Sequence, residues 1–215
     1  MAGFPVKSST RRAALAGLVL AGLPGVSKAA PGRPVITLLG DSITSGYGVA
    51  YRDSLPAQLQ GELAKLGIKA RVRGAGVSGD TSAAGLARTD FSVRPDTDLC
   101  VVALGGNDLL RGLSPAAMQR NLTAIVRKLK RRRIPVLHAG VEAPADVNRA
   151  YARQFNAAFR AVARAEAVPL YPNLFAGVQG AAALNQPDRI HPNPRGVKVI
   201  AARLAPAVAR ALQRR

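Results

Sequence analysis

The chain has 215 residues, and its 31 lysines and arginines outweigh 12 acids for a formal charge of +19. A single cysteine excludes an internal disulfide, and two histidines with one cysteine, far apart in sequence, do not assemble a zinc cluster. The cationic excess raises nucleic acid or acidic membrane as partners. No nucleic-acid motif occurs, however, and few Phe or Tyr could stack bases, so specific nucleic-acid binding is set aside.

Residues 1–29 read as an export signal rather than as part of a fold. Lys7, Arg11 and Arg12 precede an apolar stretch from Ala13 to Leu23, Pro24-Gly25 breaks it, and Ser27-Lys28-Ala29 offers small residues for cleavage. The stretch is too short for a bilayer span, which needs about 20 residues. Ser9-Thr10-Arg11-Arg12 also resembles a twin-arginine signal, and an ordinary secretory signal is the alternative. The expected destination is the periplasm or the exterior. Without Lys7, Arg11, Arg12 and Lys28, residues 30–215 keep about +15 and form one domain with no linker and no repeat.

Strand and helix signals then alternate. Val35–Leu39 predicts a first strand. Asp53-Ser54 caps a helix through Leu55, Leu59, Leu63 and Leu66 that ends at Gly67. Ile68–Val72 predicts a second strand, followed by a glycine-rich turn and a short helix near 82–88. Leu99–Leu104 is wholly apolar, hence a strand buried on both faces, and makes Cys100 an inert core residue. Ser114-Pro115 opens a long helix through Met118, Leu122, Ile125, Val126 and Leu129. It ends in the cationic run from Arg127 to Arg133, which complements the helix dipole and reads as a solvated basic face. Ile134–Leu137 is a fourth strand, Asp146–Ala165 a helix, Val168–Tyr171 a fifth strand and Pro194–Leu212 the closing helix. The alternation predicts a three-layer α/β/α sandwich around a five-stranded parallel sheet, with right-handed connections.

Four segments carry chemistry. Gly40-Asp41-Ser42 ends the first strand and presents a hydroxyl where crevices form in parallel sheets, although Asp-Ser is also an ordinary cap. Gly74-Ala75-Gly76-Val77-Ser78-Gly79 is a literal G-x-G-x-x-G. It follows the second strand rather than the first and lacks the acidic partner, which disfavours a dinucleotide site. A turn needing glycine, or a Gly79 amide aimed into the crevice, are the other readings. Leu104-Gly105-Gly106-Asn107-Asp108 leaves the buried third strand at the same sheet edge, with Asn107 as an amide donor or a turn residue. Asp188-Arg189-Ile190-His191 places a carboxylate three residues before an exposed imidazole, the arrangement a general base needs. His138, in the apolar fourth strand, reads as a core residue.

In this order, the four segments resemble the SGNH family of lipases and esterases, the GDSL hydrolases, over essentially all of residues 30–215. Ser78-Gly79-Asp80-Thr81-Ser82, Gly85-Leu86-Ala87-Arg88, Arg111-Gly112 and Val168-Pro169-Leu170 look most like the periplasmic thioesterase/lysophospholipase/arylesterase branch. The resemblance implies a flavodoxin-like sheet, Ser42 as nucleophile, His191 as base and Asp188 orienting the imidazole. It also implies oxyanion donors at Ser42, Gly79 and Asn107, with no metal or organic cofactor. No G-x-S-x-G elbow occurs, which excludes the commoner serine-hydrolase signature. Arg189 stands where this branch often carries glycine. Its guanidinium either pairs with Asp188 or faces solvent and attracts an anionic substrate.

The expectation is an exported monomeric serine hydrolase. Its substrates are small acyl esters or thioesters, lysophospholipids among them, and it admits peripheral contact with anionic membrane. A carbohydrate O-acetyl esterase of the same fold and a non-catalytic basic binding protein are the alternatives.

Overall fold

The computed structural model describes residues 1–3 and 32–214; the expected export segment, residues 1–29, therefore lies outside the described residues save for its first three. From Gly32 onward the chain forms one compact unit.

Five parallel strands make the sheet: β1 (Val35–Gly40), β2 (Arg71–Gly76), β3 (Leu99–Ala103), β4 (Val136–Ala139) and β5 (Leu170–Tyr171), in spatial order β2-β1-β3-β4-β5. The helices are α1 (Ser42–Ser45), α2 (Leu55–Lys65), α3 (Ser82–Ser92), α4 (Gly106–Leu110), α5 (Pro115–Arg131), α6 (Arg149–Ala165) and α7 (Pro194–Gln213). Alternation along each strand divides the core. Ile36, Leu38, Leu99 and Val101 join α2 and α7 on one face, while Leu39, Cys100 and Val102 join α5 and α6 on the other. Apolar side chains at three- and four-residue spacing in α5, such as Met118, Leu122, Ile125 and Leu129, all reach the second layer.

Several boundaries differ from the sequence reading; the fifth strand holds only Leu170–Tyr171, not 168–171, and the helix expected near 82–88 runs on to Ser92. The second strand runs from Arg71 to Gly76, not 68–72, so Gly74-Ala75-Gly76 is strand rather than turn. A Cβ at Gly76 would collide with the Thr44 side chain, the Ser45 amide and the Asp41 carbonyl, so glycine lets α1 lie against the strand. The fourth strand starts at Val136, because Arg133 turns the chain with a φ of 58° before it enters the sheet. The helix expected from Asp146 begins at Arg149, where the Asn148 side chain accepts from Ala150 and Tyr151 N–H.

Strand order reverses beside β1: the chain moves to β2 on one side and returns to β3 on the other. Such a switch point opens a crevice beyond the carboxyl ends of β1 and β3. Asp41-Ser42 and Gly105–Asn107 stand there.

Candidate active site

Ser42 is the first residue of α1, a single helical turn. Asp41 caps it, its Oδ1 accepting from Ile43 N–H at 3.1 Å, and Gly46 in the left-handed region (φ 79°) closes it. The turn holds the Ser42 side chain half-buried at the end of β1.

His191 arrives from the loop before α7. Its Nε2 lies 3.0 Å from Ser42 Oγ, and its Nδ1 lies 2.7 Å from Asp188 Oδ2. With Nδ1–H donated to the carboxylate, Nε2 is left as the acceptor for the serine proton. Asp188 Oδ1 meanwhile accepts from the His191 and Ile190 amides, each at 3.0 Å. These backbone and imidazole bonds hold the Asp188 carboxyl down at about 2. Gln186 anchors the loop: its Nε2 donates to the Tyr47 carbonyl at 2.9 Å, just past the serine turn, and to the Pro192 carbonyl at 3.1 Å. The Tyr47 ring covers the imidazole with centroids 4.6 Å apart.

Arg189 does not pair with Asp188; both carboxylate oxygens are occupied by Ile190 and His191, and Arg189 takes part in no ion pair among the described residues. It holds a φ of 60°, a left-handed conformation that suits the glycine common in similar sequences. It borders a cleft of about 150 Å³ shared with Leu109, Leu110, Val141, Phe175 and Ile190.

Gly79 and Asn107 face the same sheet edge. Gly79 turns with a φ of 86°, its carbonyl accepts from Arg111 Nη2 at 2.8 Å, and its N–H makes no hydrogen bond among the described residues. Asn107, in α4, donates from Nδ2 to the Asp80 carbonyl at 3.0 Å and lies 3.4 Å from Asp41 Oδ2. Asp108 is a bracket: its carboxylate accepts from the Ser82 amide at 2.7 Å and the Ser82 hydroxyl at 2.6 Å, tying α4 to α3.

Two groups escaped the sequence reading of roles. Asp41 is 6% exposed, and burial pushes its carboxyl up to about 6. Arg88, in α3, reaches the ends of both β1 and β2. Its place in a local motif was visible, but its partners are remote in sequence. Cys100 and His138 stay in the core. Cys100 is fully buried, with its thiol pushed up to about 12. Neither ring nitrogen of His138 has a hydrogen-bond partner, and its ring packs 5.4 Å from Phe159. Among the described residues no three His, Cys, Asp or Glu side chains gather as metal ligands.

Comparison with known proteins places the chain by family and fold. The model of the GDSL-like Lipase/Acylhydrolase family matches residues 38–199. Esterase TesA of Pseudomonas aeruginosa is 38% identical over 158 residues, spanning 73% of this chain and 79% of that protein. Thioesterase 1/protease 1/lysophospholipase L1 of Escherichia coli is 35% identical over 159 residues, 74% of this chain and 75% of that one. The crystal structure of AlinE4, an SGNH-hydrolase family esterase, superposes with a TM-score of 0.71 at 42% identity, covering 86% and 99% of the two chains. With its fold, the order of its motifs and these relatives in agreement, the chain belongs to the GDSL-like lipase and acylhydrolase family of SGNH esterases.

Proposed function

We propose that Ser42, His191 and Asp188 form the catalytic relay of this esterase. The observation that carries the reading is the unbroken run from Asp188 Oδ2 through the imidazole to Ser42 Oγ, at 2.7 and 3.0 Å. His191 Nε2 takes the Ser42 hydroxyl proton as Oγ bonds to the acyl carbon. The carbonyl oxygen becomes an oxyanion, for which the Ser42 and Gly79 amides and Asn107 Nδ2 are the donors. Collapse breaks the bond to the leaving oxygen or sulfur, which receives the proton from His191. Water then repeats the sequence on the acyl-enzyme, releasing the acid and restoring Ser42. Asp188 stays ionised throughout and stabilises the imidazolium.

The substrate is a small acyl ester or thioester. Leu109, Leu110, Val141, Phe175 and Ile190 give the cleft a mainly apolar lining that suits a hydrocarbon chain, with Glu142, Gln179, Asn185 and Arg189 as its polar members. Its volume of about 150 Å³ favours a short acyl group, with an apolar gain of about 0.8 kcal/mol for each methylene it buries. The proposed triad and oxyanion donors are all supplied by one chain, so the site is complete without a partner subunit. The basic, apolar, small-residue order of 1–29 supports export to the periplasm or beyond. The cationic surface supports peripheral contact with anionic membrane.

The test is a p-nitrophenyl ester series from acetyl to palmitoyl, with fluorophosphonate labelling of the same preparations. Butyryl or hexanoyl esters are expected to give the highest kcat/KM, and Ser42→Ala to lose both turnover and label. Labelling that persists in Ser42→Ala refutes the nucleophile, an optimum at palmitoyl refutes the short cleft, and an optimum at acetyl returns the O-acetyl esterase reading.

A further inference from the structure

Arg88 sits in the middle of α3, 18% exposed at its side chain, and its guanidinium serves four acceptors. Nε donates to Asp80 Oδ2 at 2.5 Å. Nη1 donates to the Ala75 carbonyl at 2.8 Å and the Ser92 hydroxyl at 2.9 Å, and Nη2 donates to the Gly40 carbonyl at 2.6 Å. Each acceptor has a consequence for the site. Gly40 is the last residue of β1, directly before Asp41-Ser42, and its carbonyl also accepts the Val77 amide at 3.2 Å. Ala75 belongs to β2, where Gly40 and Gly76 are register partners. Asp80 follows Gly79 in a turn closed by its amide on the Val77 carbonyl, and the Asp80 carbonyl is the group that holds Asn107 Nδ2 at 3.0 Å.

From this geometry we infer that Arg88 is the positioning residue of the oxyanion site, fixing the Ser42 turn, the Gly79 turn and the Asn107 amide in one frame. The inference rests on the proposed roles of Ser42, Gly79 and Asn107. The frame is needed because the three donors come from separate strand ends with no direct covalent or ladder connection beyond Gly40 and Val77. Past that last rung the 77–80 turn is anchored by the Arg88, Asn107 and Arg111 side chains and by an exposed Ser78–Ser45 hydroxyl contact at 3.1 Å, of which only Arg88 also holds the Gly40 carbonyl. Oxyanion donors work only if placed before the charge develops, and a displacement of about 1 Å costs roughly 100-fold in rate. A planar guanidinium offers five donors in a rigid fork, so it can meet a carboxylate and two carbonyls at once. A lysine ammonium can keep the Asp80 pair but cannot span both carbonyls.

The experiment compares Arg88→Lys and Arg88→Ala with the native protein, using butyryl ester kinetics normalised to fluorophosphonate-titrated Ser42 sites. Normalisation counts only folded, competent molecules, so loss of folded protein does not enter kcat. Arg88→Ala is expected to lower kcat per site by about 100-fold and Arg88→Lys by about 10-fold, with KM changed less than about threefold. If Arg88→Ala does not fold, Arg88→Lys alone decides. Native kcat per site in Arg88→Lys, or a change confined to KM, overturns the positioning role. Ser42→Ala is measured alongside: if it retains turnover the hydrolase reading fails, whereas an inactive Ser42→Ala with unaltered Arg88 variants refutes only the clamp.

Discussion

Asp41 Oδ2 lies 3.4 Å from Asn107 Nδ2, so the residue before the proposed nucleophile faces the side chain proposed to hold the oxyanion. The same carboxylate caps the serine turn through Ile43 N–H. Burial raises Asp41 to about 6 from an ordinary 3.8, so between those values the folded chain binds more proton than the unfolded one. Stability contributed by this site therefore falls as pH rises through the window, and the full penalty is present above it. Asp41→Asn removes the charge but sets an amide opposite Asn107 Nδ2. Relative to the native protein we expect a gain of about 6 °C in Tm at pH 8 and little at pH 4, with a lower kcat. A Tm difference that does not change with pH would contradict this account.

Asn107→Ala tests the oxyanion assignment directly. Removing one such donor lowers kcat by about 100- to 1000-fold. Because the interaction forms with the developing charge, KM should move far less. Unchanged turnover would leave Asn107 as a bracket for the Asp80 carbonyl alone.

His138 predicts acid sensitivity of the core. Burial lowers it to about 4 from 6.5. The neutral ring is tolerated in the folded state, whereas the unfolded chain charges it, so its contribution is intact above 6.5 and lost as pH falls towards 4. Full loss is on the order of 3 kcal/mol. His138→Leu, which removes the titration, should gain on the native protein in Tm as pH drops from 7 to 4. Parallel Tm curves for the two proteins would show that His138 does not titrate in this range.

The basic surface predicts a salt effect confined to charged interfaces. Helices α5 and α6 contain Arg120, Arg127, Lys128, Lys130, Arg131, Arg149, Arg153, Arg160 and Arg164 and no acid. Arg132, by contrast, donates to the Val93 carbonyl and faces Asp90 at 3.7 Å, so it secures the end of α5 rather than offering a free cation. Arg153→Gln, Arg160→Gln and Arg164→Gln combined should weaken adsorption to phosphatidylglycerol vesicles by about 100-fold, at about 1 kcal/mol per cation. Turnover of a neutral soluble ester should stay unchanged and nearly salt-independent. Loss of that soluble activity in the folded triple variant would place this face in the active site.

Export is tested at the amino terminus. Arg11→Lys with Arg12→Lys should trap precursor in the cytoplasm if the twin-arginine route is used. Normal exported activity in that double variant selects the ordinary secretory route.

Much of the fold was written locally. The all-apolar β3 reads as a strand buried on both faces because no side chain in it tolerates water. The three-residue spacing of Asp188 and His191 is short enough for one loop to bring carboxylate and imidazole together, and Ser42 follows directly from the end of β1. Other features needed the folded chain. Gly74 and Gly76 look like turn glycines in isolation, and the approach of α1 across β2 at Gly76, with Pro56 of α2 against Gly74, explains them as strand residues. The contact of His191 with Ser42 bridges 149 positions, and that of Arg88 with Gly40 bridges 48. Asp41 is an ordinary cap until α4 folds over it and removes its water. Patterning and spacing report which surfaces turn inward and what one loop can join. Distances between strand ends, and the burial that shifts a carboxyl's proton affinity, arise only when the sheet order brings remote segments to one edge.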